Sequence, residues 1–160
     1  MNSSDALLSF RRLLERTPVR TFLIYPICVI AFELAIRRGN LVIVPWGALL
    51  LAWGYLQYRL TGQCRVQHGG GGPGITVPPE HLVEDGIYAY TRNPMYLGHL
   101  IFMLGLAVTF WSWLALILLA VNAIWFHRRV LDDEARLRKL FGAQYADYQA
   151  RVKRWIPGLF

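Results

Sequence analysis

The hydrophobic pattern is dominated by two runs free of Asp, Glu, Lys and Arg, one of 35 residues from 93 to 127 and one of 20 residues from 39 to 58. Apolar runs of about 18 residues or more are long enough to cross a bilayer as a helix. Laid out as one helix, the longer run would reach about 50 Å against a hydrocarbon core of roughly 30 Å, so it must fold back on itself. Trp111-Ser112-Trp113 near its middle is the natural corner, because serine caps a following helix and tryptophan favours the headgroup level. The pattern therefore predicts a hairpin of helices over about 94–110 and 113–130, with Pro94 in the first turn, where proline is tolerated. The 20-residue run predicts a span over about 41–58, with Pro45 near its start and Trp46, Trp53, Tyr55 and Tyr58 as interfacial anchors. A shorter apolar segment, about 21–36, is interrupted by Glu33, which lies four residues before Arg37 at a spacing where a helical pair meets.

Beyond the hairpin the chain turns amphipathic. Val130, Leu131, Glu134, Leu137, Leu140 and Phe141 recur at helical spacing, Gly142 is a helix stop, and Tyr145, Tyr148 and Val152 mark one face of a second short helix that Pro157 ends. The Gly- and Pro-rich stretch 68–79 is expected to be irregular. The fold expected is all-α, a polytopic membrane helix bundle in a single domain, residues 1–160. It has about four transmembrane helices (21–36, 41–58, 94–110, 113–130), a loop over 61–85 and an amphipathic cytoplasmic tail over 132–160.

Composition agrees with that pattern: 55% of residues are apolar and 17% charged, with a mean hydropathy of +0.33. Such a chain is too apolar for a water-soluble enzyme of this size and for intrinsic disorder. The net charge of +7 would suit nucleic acid, but the basic residues flank the apolar runs, where membrane orientation accounts for them, and no nucleic-acid motif accompanies them. With four spans, fifteen of the 17 basic residues share one side and only Arg37 and Arg38 lie opposite, which places both termini in the cytoplasm. In a bacterial host that membrane is the inner one. Residues 1–20 lack the apolar stretch and cleavage site of a signal peptide. Cys28 and Cys64 have neither metal nor redox spacing.

The hairpin returns the chain to its starting face, so Arg92 and Asp132-Asp133-Glu134, about 40 residues apart, become neighbours. Arginine clamps a carboxylate in a bidentate pair, and Asp or Glu accepts hydrogen bonds from ribose hydroxyls or an amino group. S-adenosylmethionine carries all three groups; a nicotinamide dinucleotide also carries a ribose and anionic groups. The residues alone leave other readings open, with Arg92 as an interfacial topology charge and the acidic triplet as a helix-surface patch pairing with Arg136 or Arg138. The glycine cluster has neither the Lys-Ser/Thr ending of a phosphate loop nor a preceding strand, which leaves a linker or a mobile flap. Met95, Tyr96 and His99 share a helix face toward the bundle interior, where histidine either bonds a neighbouring helix or joins the site. His68, His81 and His127 have no ligand spacing, and no metal is expected.

Two blocks carry a resemblance. LVEDGIYAYTRNPMYLG (residues 82–98), then the apolar hairpin, then DDEARLRKLFGAQYADYQARVKRWIP (132–157) resembles the isoprenylcysteine carboxyl methyltransferase and phospholipid methyltransferase superfamily of integral membrane enzymes. The family pattern runs Gly-x-Tyr, Arg-His-Pro-x-Tyr-x-Gly, Glu-Glu, Leu, Phe-Gly, two tyrosines and a closing Arg-x-x-Pro. The resemblance implies an S-adenosylmethionine pocket formed by Gly86, Tyr88, Arg92, Pro94, Tyr96 and Gly98 with Asp133 and Glu134, to which Asn93 and His99 are added as polar candidates. Asn93 stands where the family has His, which keeps hydrogen bonding but removes a base, and Asp133 is a methylene shorter than Glu. The chemistry implied is in-line methyl transfer to a lipophilic small molecule or lipid presented from the bilayer. Arg92 and Glu134 are the catalytic candidates, and the tail with Tyr145 and Tyr148 forms a cytoplasmic wall. The acceptor (prenylated cysteine carboxylate, phospholipid amine or thiol) and the oligomeric state stay open. The rivals are an NADPH-dependent sterol-type membrane reductase and a non-enzymatic lipid-binding membrane protein.

Overall fold

The computed structural model describes residues 16–70 and 79–156, and among them it contains helices and connecting turns but no strand. Helix α1, Thr17–Ile36, starts a turn earlier than the apolar pattern suggested and includes a π-helical turn at Arg20–Ile24. Helix α2 is Gly47–Gly69, α3 is Pro94–Phe110 and α4 is Trp113–Arg151. A 3-10 turn at Gly86–Ala89 precedes α3. The glycine stretch 71–78 and Pro157 lie outside the described residues.

The hairpin corner forms as the sequence indicates. Pro94 sits in the first turn of α3, Trp111 adopts a left-handed conformation (φ 48°), and Ser112 Oγ accepts from the Ala115 amide at 3.3 Å to cap α4. Three further boundaries differ from expectation, the last two because charge ends a membrane-compatible stretch without ending a helix. Residues 41–46, Pro45 included, precede α2 rather than opening it, with the Val44 amide bonded to the Thr109 carbonyl at 2.7 Å. Residues 61–69 of the expected loop belong to α2, which runs past Arg59 and Arg65 until Gly70 takes φ 64°. Likewise α4 does not stop at Val130. It continues through the charged residues, and Gly142 (φ 51°, ψ −120°) breaks it without ending it, so that 143–151 folds back along 134–141. The inward face is also narrower than expected, because Leu131 and Leu140 are exposed.

The helices alternate in direction, as their pairings require. Phe22 of α1 stacks on His99 of α3, and Arg37, near the other end, donates to the Trp111 carbonyl at 3.2 Å. Tyr25 donates to Asn122 of α4 at 3.3 Å, and Gln57 of α2 donates to the Pro94 carbonyl at 2.9 Å. Helices α2 and α3 touch backbone to backbone. A Cβ on Gly54 would lie 2.7 Å from the Gly98 carbonyl oxygen, and one on Gly98 would lie 2.9 Å from that of Gly54. Close approach through small residues is the way helices associate without a hydrophobic driving force. Val29, Leu106, Ala107, Phe110 and Ala115 form one core cluster, and Tyr96, Phe126 and Val130 another nearer the polar end. Leu23, Ile27, Trp46, Ile117, Val121 and Ile124 are exposed, an apolar exterior of the kind lipid covers. Helices α1 and α4 are each long and apolar enough to cross a membrane, and α3 is apolar but 17 residues long.

Candidate active site

The alternation of helices gathers Arg92, the start of α3 and the 129–136 segment of α4 at one end of the bundle. Gly142 then turns the chain back, so that 143–156 covers them. This C-terminal arm is held by its own apolar face: Tyr145, Tyr148 and Val152 are buried against Leu82, Leu137 and Phe141. The Arg92 amide donates to the Lys153 carbonyl (3.0 Å), Thr91 Oγ1 to the Arg154 carbonyl (3.1 Å) and the Tyr148 hydroxyl to the Tyr88 carbonyl (2.7 Å). Arg151 pairs with Glu84 at the rim.

Glu134 is the hub beneath the arm. Its buried carboxylate accepts from Arg92 Nη2 at 3.1 Å, from Arg154 Nε and Nη2 at 3.1 and 2.8 Å, from Gln149 Nε2 at 3.3 Å and from Asn93 Nδ2 at 3.5 Å. The bidentate bond to Glu134 raises the Arg154 pKa above its ordinary value. Arg92 also donates from Nη1 to the Gln149 carbonyl at 3.0 Å, and its Nε is buried and has no hydrogen-bond partner among the described residues.

Two small cavities of about 50 and 70 Å³ lie beside this hub and share Arg65, Pro79, Tyr88, Arg92 and Leu137 as walls. The first adds Tyr145 and Tyr148; the second adds Asn93, Pro94, Met95, Tyr96, Asp133 and Arg136. The two form one cleft. In it the Tyr96 hydroxyl donates to Asp133 Oδ2 at 2.8 Å and accepts from Arg129 Nε at 3.2 Å, while Arg136 pairs with Asp133 at 3.1 Å. The Tyr145 hydroxyl is buried with no partner among the described residues. Burial pushes the Tyr88 pKa up to about 12, against the pull of Arg65, and burial likewise raises those of Tyr145 and Tyr148. These phenols are neutral donors at physiological pH. Pro79 ends the glycine stretch, whose two stems are pinned together where the Glu80 amide meets the Gly69 carbonyl at 2.7 Å. A larger groove of about 310 Å³ runs along Tyr58, Gly62 and Val66 of α2, and Met95 stands between it and the cleft.

Of the site residues expected from sequence, Tyr88, Arg92, Asn93, Pro94, Tyr96 and Asp133 line the cleft, and Glu134 anchors its edge. Gly86 serves the backbone, opening the 3-10 turn with φ 60°. Gly98 faces α2, and His99 packs among Phe22, Tyr58 and Phe126 with Nδ1 unpartnered among the described residues; neither lines the cleft. Asp132 is exposed. Sequence reasoning did not single out Gln149, Arg65 or Arg154 as site residues. For Arg154 a signal existed, as the arginine of the closing Arg-x-x-Pro pattern; Gln149 has none.

Comparison with known proteins places this geometry. The chain is 37% identical over 78 residues to protein-S-isoprenylcysteine O-methyltransferase of Schizosaccharomyces pombe, a match covering 48% of this chain and 33% of that protein. It is 36% identical over 78 residues to protein-S-isoprenylcysteine O-methyltransferase B of Arabidopsis thaliana (48% and 39%). Against protein-S-isoprenylcysteine O-methyltransferase of Mus musculus it is 32% identical over 78 residues (48% and 27%). The matched segment thus spans about a third of the length of these curated relatives. The phospholipid methyltransferase family model matches residues 41–144, α2 through the Gly142 turn, and the chain belongs to that family.

Proposed function

We propose that this protein is an integral membrane methyltransferase that transfers the methyl group of S-adenosylmethionine to an amphiphilic acceptor drawn from the bilayer. The observation that carries the reading is the buried Arg92–Glu134–Arg154 network at the edge of a cleft lined by the family's motif residues. The donor set suits such a cofactor. Arg92 Nε and the Tyr145 hydroxyl are buried donors without partners among the described residues, matched to a carboxylate, and Asp133 is an acceptor for hydroxyl or amino groups. When bound, S-adenosylmethionine supplies a methyl carbon that an acceptor lone pair takes as the carbon–sulfur bond breaks, the bonding pair leaving on sulfur.

The protein's part is alignment and exclusion of water. Arg92 orients the donor through its carboxylate. Glu134 is a positioning residue: its oxygens are saturated by Arg92, Arg154, Gln149 and Asn93, and they fix both the guanidinium and the arm that roofs the cleft. The neutral tyrosines hold polar groups without competing as bases. The acceptor approaches along the groove beside α2, with Met95 at the partition. An isoprenylcysteine carboxylate and a phospholipid amine both suit that path. In this reading the four alternating helices all span the membrane, with both termini on the cytoplasmic side, because Arg20, Arg59, Arg65, Arg92 and Arg129 collect at the cleft end of the bundle.

Detergent-purified protein is expected to bind tritiated S-adenosylmethionine but not tritiated NADPH, and to label farnesylcysteine or phosphatidylethanolamine. Arg92→Ala removes charged hydrogen bonds of a kind that contribute about 1.5–3 kcal/mol, so donor affinity should fall roughly 10- to 150-fold. Binding of NADPH instead, of neither ligand, or unchanged donor affinity in Arg92→Ala would each reject the reading.

A further inference from the structure

On the side of the bundle where α1 meets α4, two arginines share one indole. The guanidinium carbon of Arg20 lies 5.8 Å from the Trp125 ring centroid, and so does that of Arg129. Each is held in place by a tyrosine: Arg20 Nη2 donates to the Tyr25 hydroxyl at 2.7 Å, which in turn donates to Asn122, and Arg129 Nε donates to the Tyr96 hydroxyl at 3.2 Å. Neither has a carboxylate within ion-pair distance among the described residues. Two positive groups against one half-exposed ring repel each other, and each keeps most of its five N–H donors for a further partner. Arg20 opens the π-helical turn of α1, a distortion that recurs at functional positions.

What adjoins the pair identifies that partner. Ile117, Val121, Trp125 and Arg129 follow one another four residues apart on α4 and so form a single ridge. Ile117 and Val121 are 60% and 59% exposed, which makes an apolar track that ends at the two guanidinium groups. We propose that this seam binds one anionic phospholipid, its phosphate bridging Arg20 and Arg129 beside Trp125 and its acyl chain lying on Val121 and Ile117. The bridging anion removes the repulsion between the arginines, and the track explains why the ligand is a lipid rather than a free phosphate. The assignment is separate from the methyl-transfer reading: it concerns the outer face of α4 and stands whether or not the cleft binds a methyl donor.

Native mass spectrometry of the full chain released from nanodiscs of equal parts POPC and POPG tests it. The wild type should retain POPG in preference to POPC. Each arginine–phosphate contact is a hydrogen bond between charged groups, worth roughly tenfold, so Arg20→Gln/Arg129→Gln should lower the retained POPG ratio roughly 100-fold. Arg20→Lys/Arg129→Lys, which keeps the charge and serves should the Gln pair not fold, should hold at least part of the preference. Arg128→Gln, one position off the ridge, should leave the ratio unchanged, and excess inorganic phosphate should not displace POPG. An equal loss in Arg128→Gln would make the effect one of bulk charge. Displacement by inorganic phosphate, or no POPG preference in either the wild type or the Lys pair, would likewise overturn the proposal.

Discussion

Glu134→Gln isolates what the hub holds together. The substitution preserves shape and one acceptor but removes the charge that Arg92 and Arg154 share, whose side chains are 10% and 30% exposed. Removing one partner of a fully buried ion pair costs about 3–5 kcal/mol. Because Arg154 is partly hydrated and the amide still accepts, about 2–3 kcal/mol is expected here. The cost falls on the arm rather than on the bundle, since Arg154, Gln149 and the backbone bonds to Arg92 and Thr91 all belong to residues 143–156. Local opening of the arm should thus become roughly 30- to 150-fold more frequent while α1–α3 keep their protection. Hydrogen–deuterium exchange of the C-terminal peptide in detergent reads this directly, and trypsin cleavage after Arg151, Lys153 and Arg154 should accelerate in parallel. Exchange within threefold of wild type would refute the hub, and uniform loosening of all four helices would show that Glu134 supports the bundle instead.

Two further substitutions probe the packing and the cleft. Gly54→Ala would place its Cβ 2.5 Å from the Phe102 backbone nitrogen, and since neither backbone can yield, about 1–3 kcal/mol of destabilisation is expected as a lower thermal midpoint in detergent. Gly62→Ala on the same helix meets nothing within 4 Å and should be neutral or stabilising; equal losses in both would reject the contact. The phenol of Tyr88 stays protonated up to about pH 12 in the folded protein but ionises near its ordinary value of 10 when unfolded. Its contribution is therefore complete below pH 10 and is lost as pH rises toward about 12, so the alkaline fall in thermal midpoint should be shallower in Tyr88→Phe.

The hairpin was readable because its signals are local. An uncharged run too long for one helix demands a fold-back, a serine at the corner and a proline after Asn93 each act within a turn of themselves to place it, and α3 begins at Pro94 and α4 at Trp113 as they require. The meeting of Arg92 with Glu134 was readable too, as a matter of topology: two antiparallel rods joined at a tight corner bring the start of the first beside the stretch of the second that lies at a similar distance from the corner. Helix ends were less so. Residues 61–69 remain helical because nothing before Gly70 breaks the backbone, and hydropathy measures what the solvent tolerates rather than where the hydrogen-bond ladder stops.

The partners of Glu134 resisted for a different reason. In the sequence Arg154 is one more cation in a basic tail, and a count of charges treats it as it treats Arg138 and Lys139. What separates them is Gly142. Only its left-handed conformation sends 143–156 back over the cleft, and only then does the residue twenty positions after Glu134 arrive at its carboxylate while Lys139 stays in solvent. Gly98 shows the same limit from the other side. It sits within the motif beside the cleft residues, yet a Cβ there would lie 2.9 Å from the Gly54 carbonyl oxygen, which makes it a packing contact of α2 and α3. A motif therefore marks which residues act together without separating those that would touch a ligand from those that hold the helices at the distance the cleft needs.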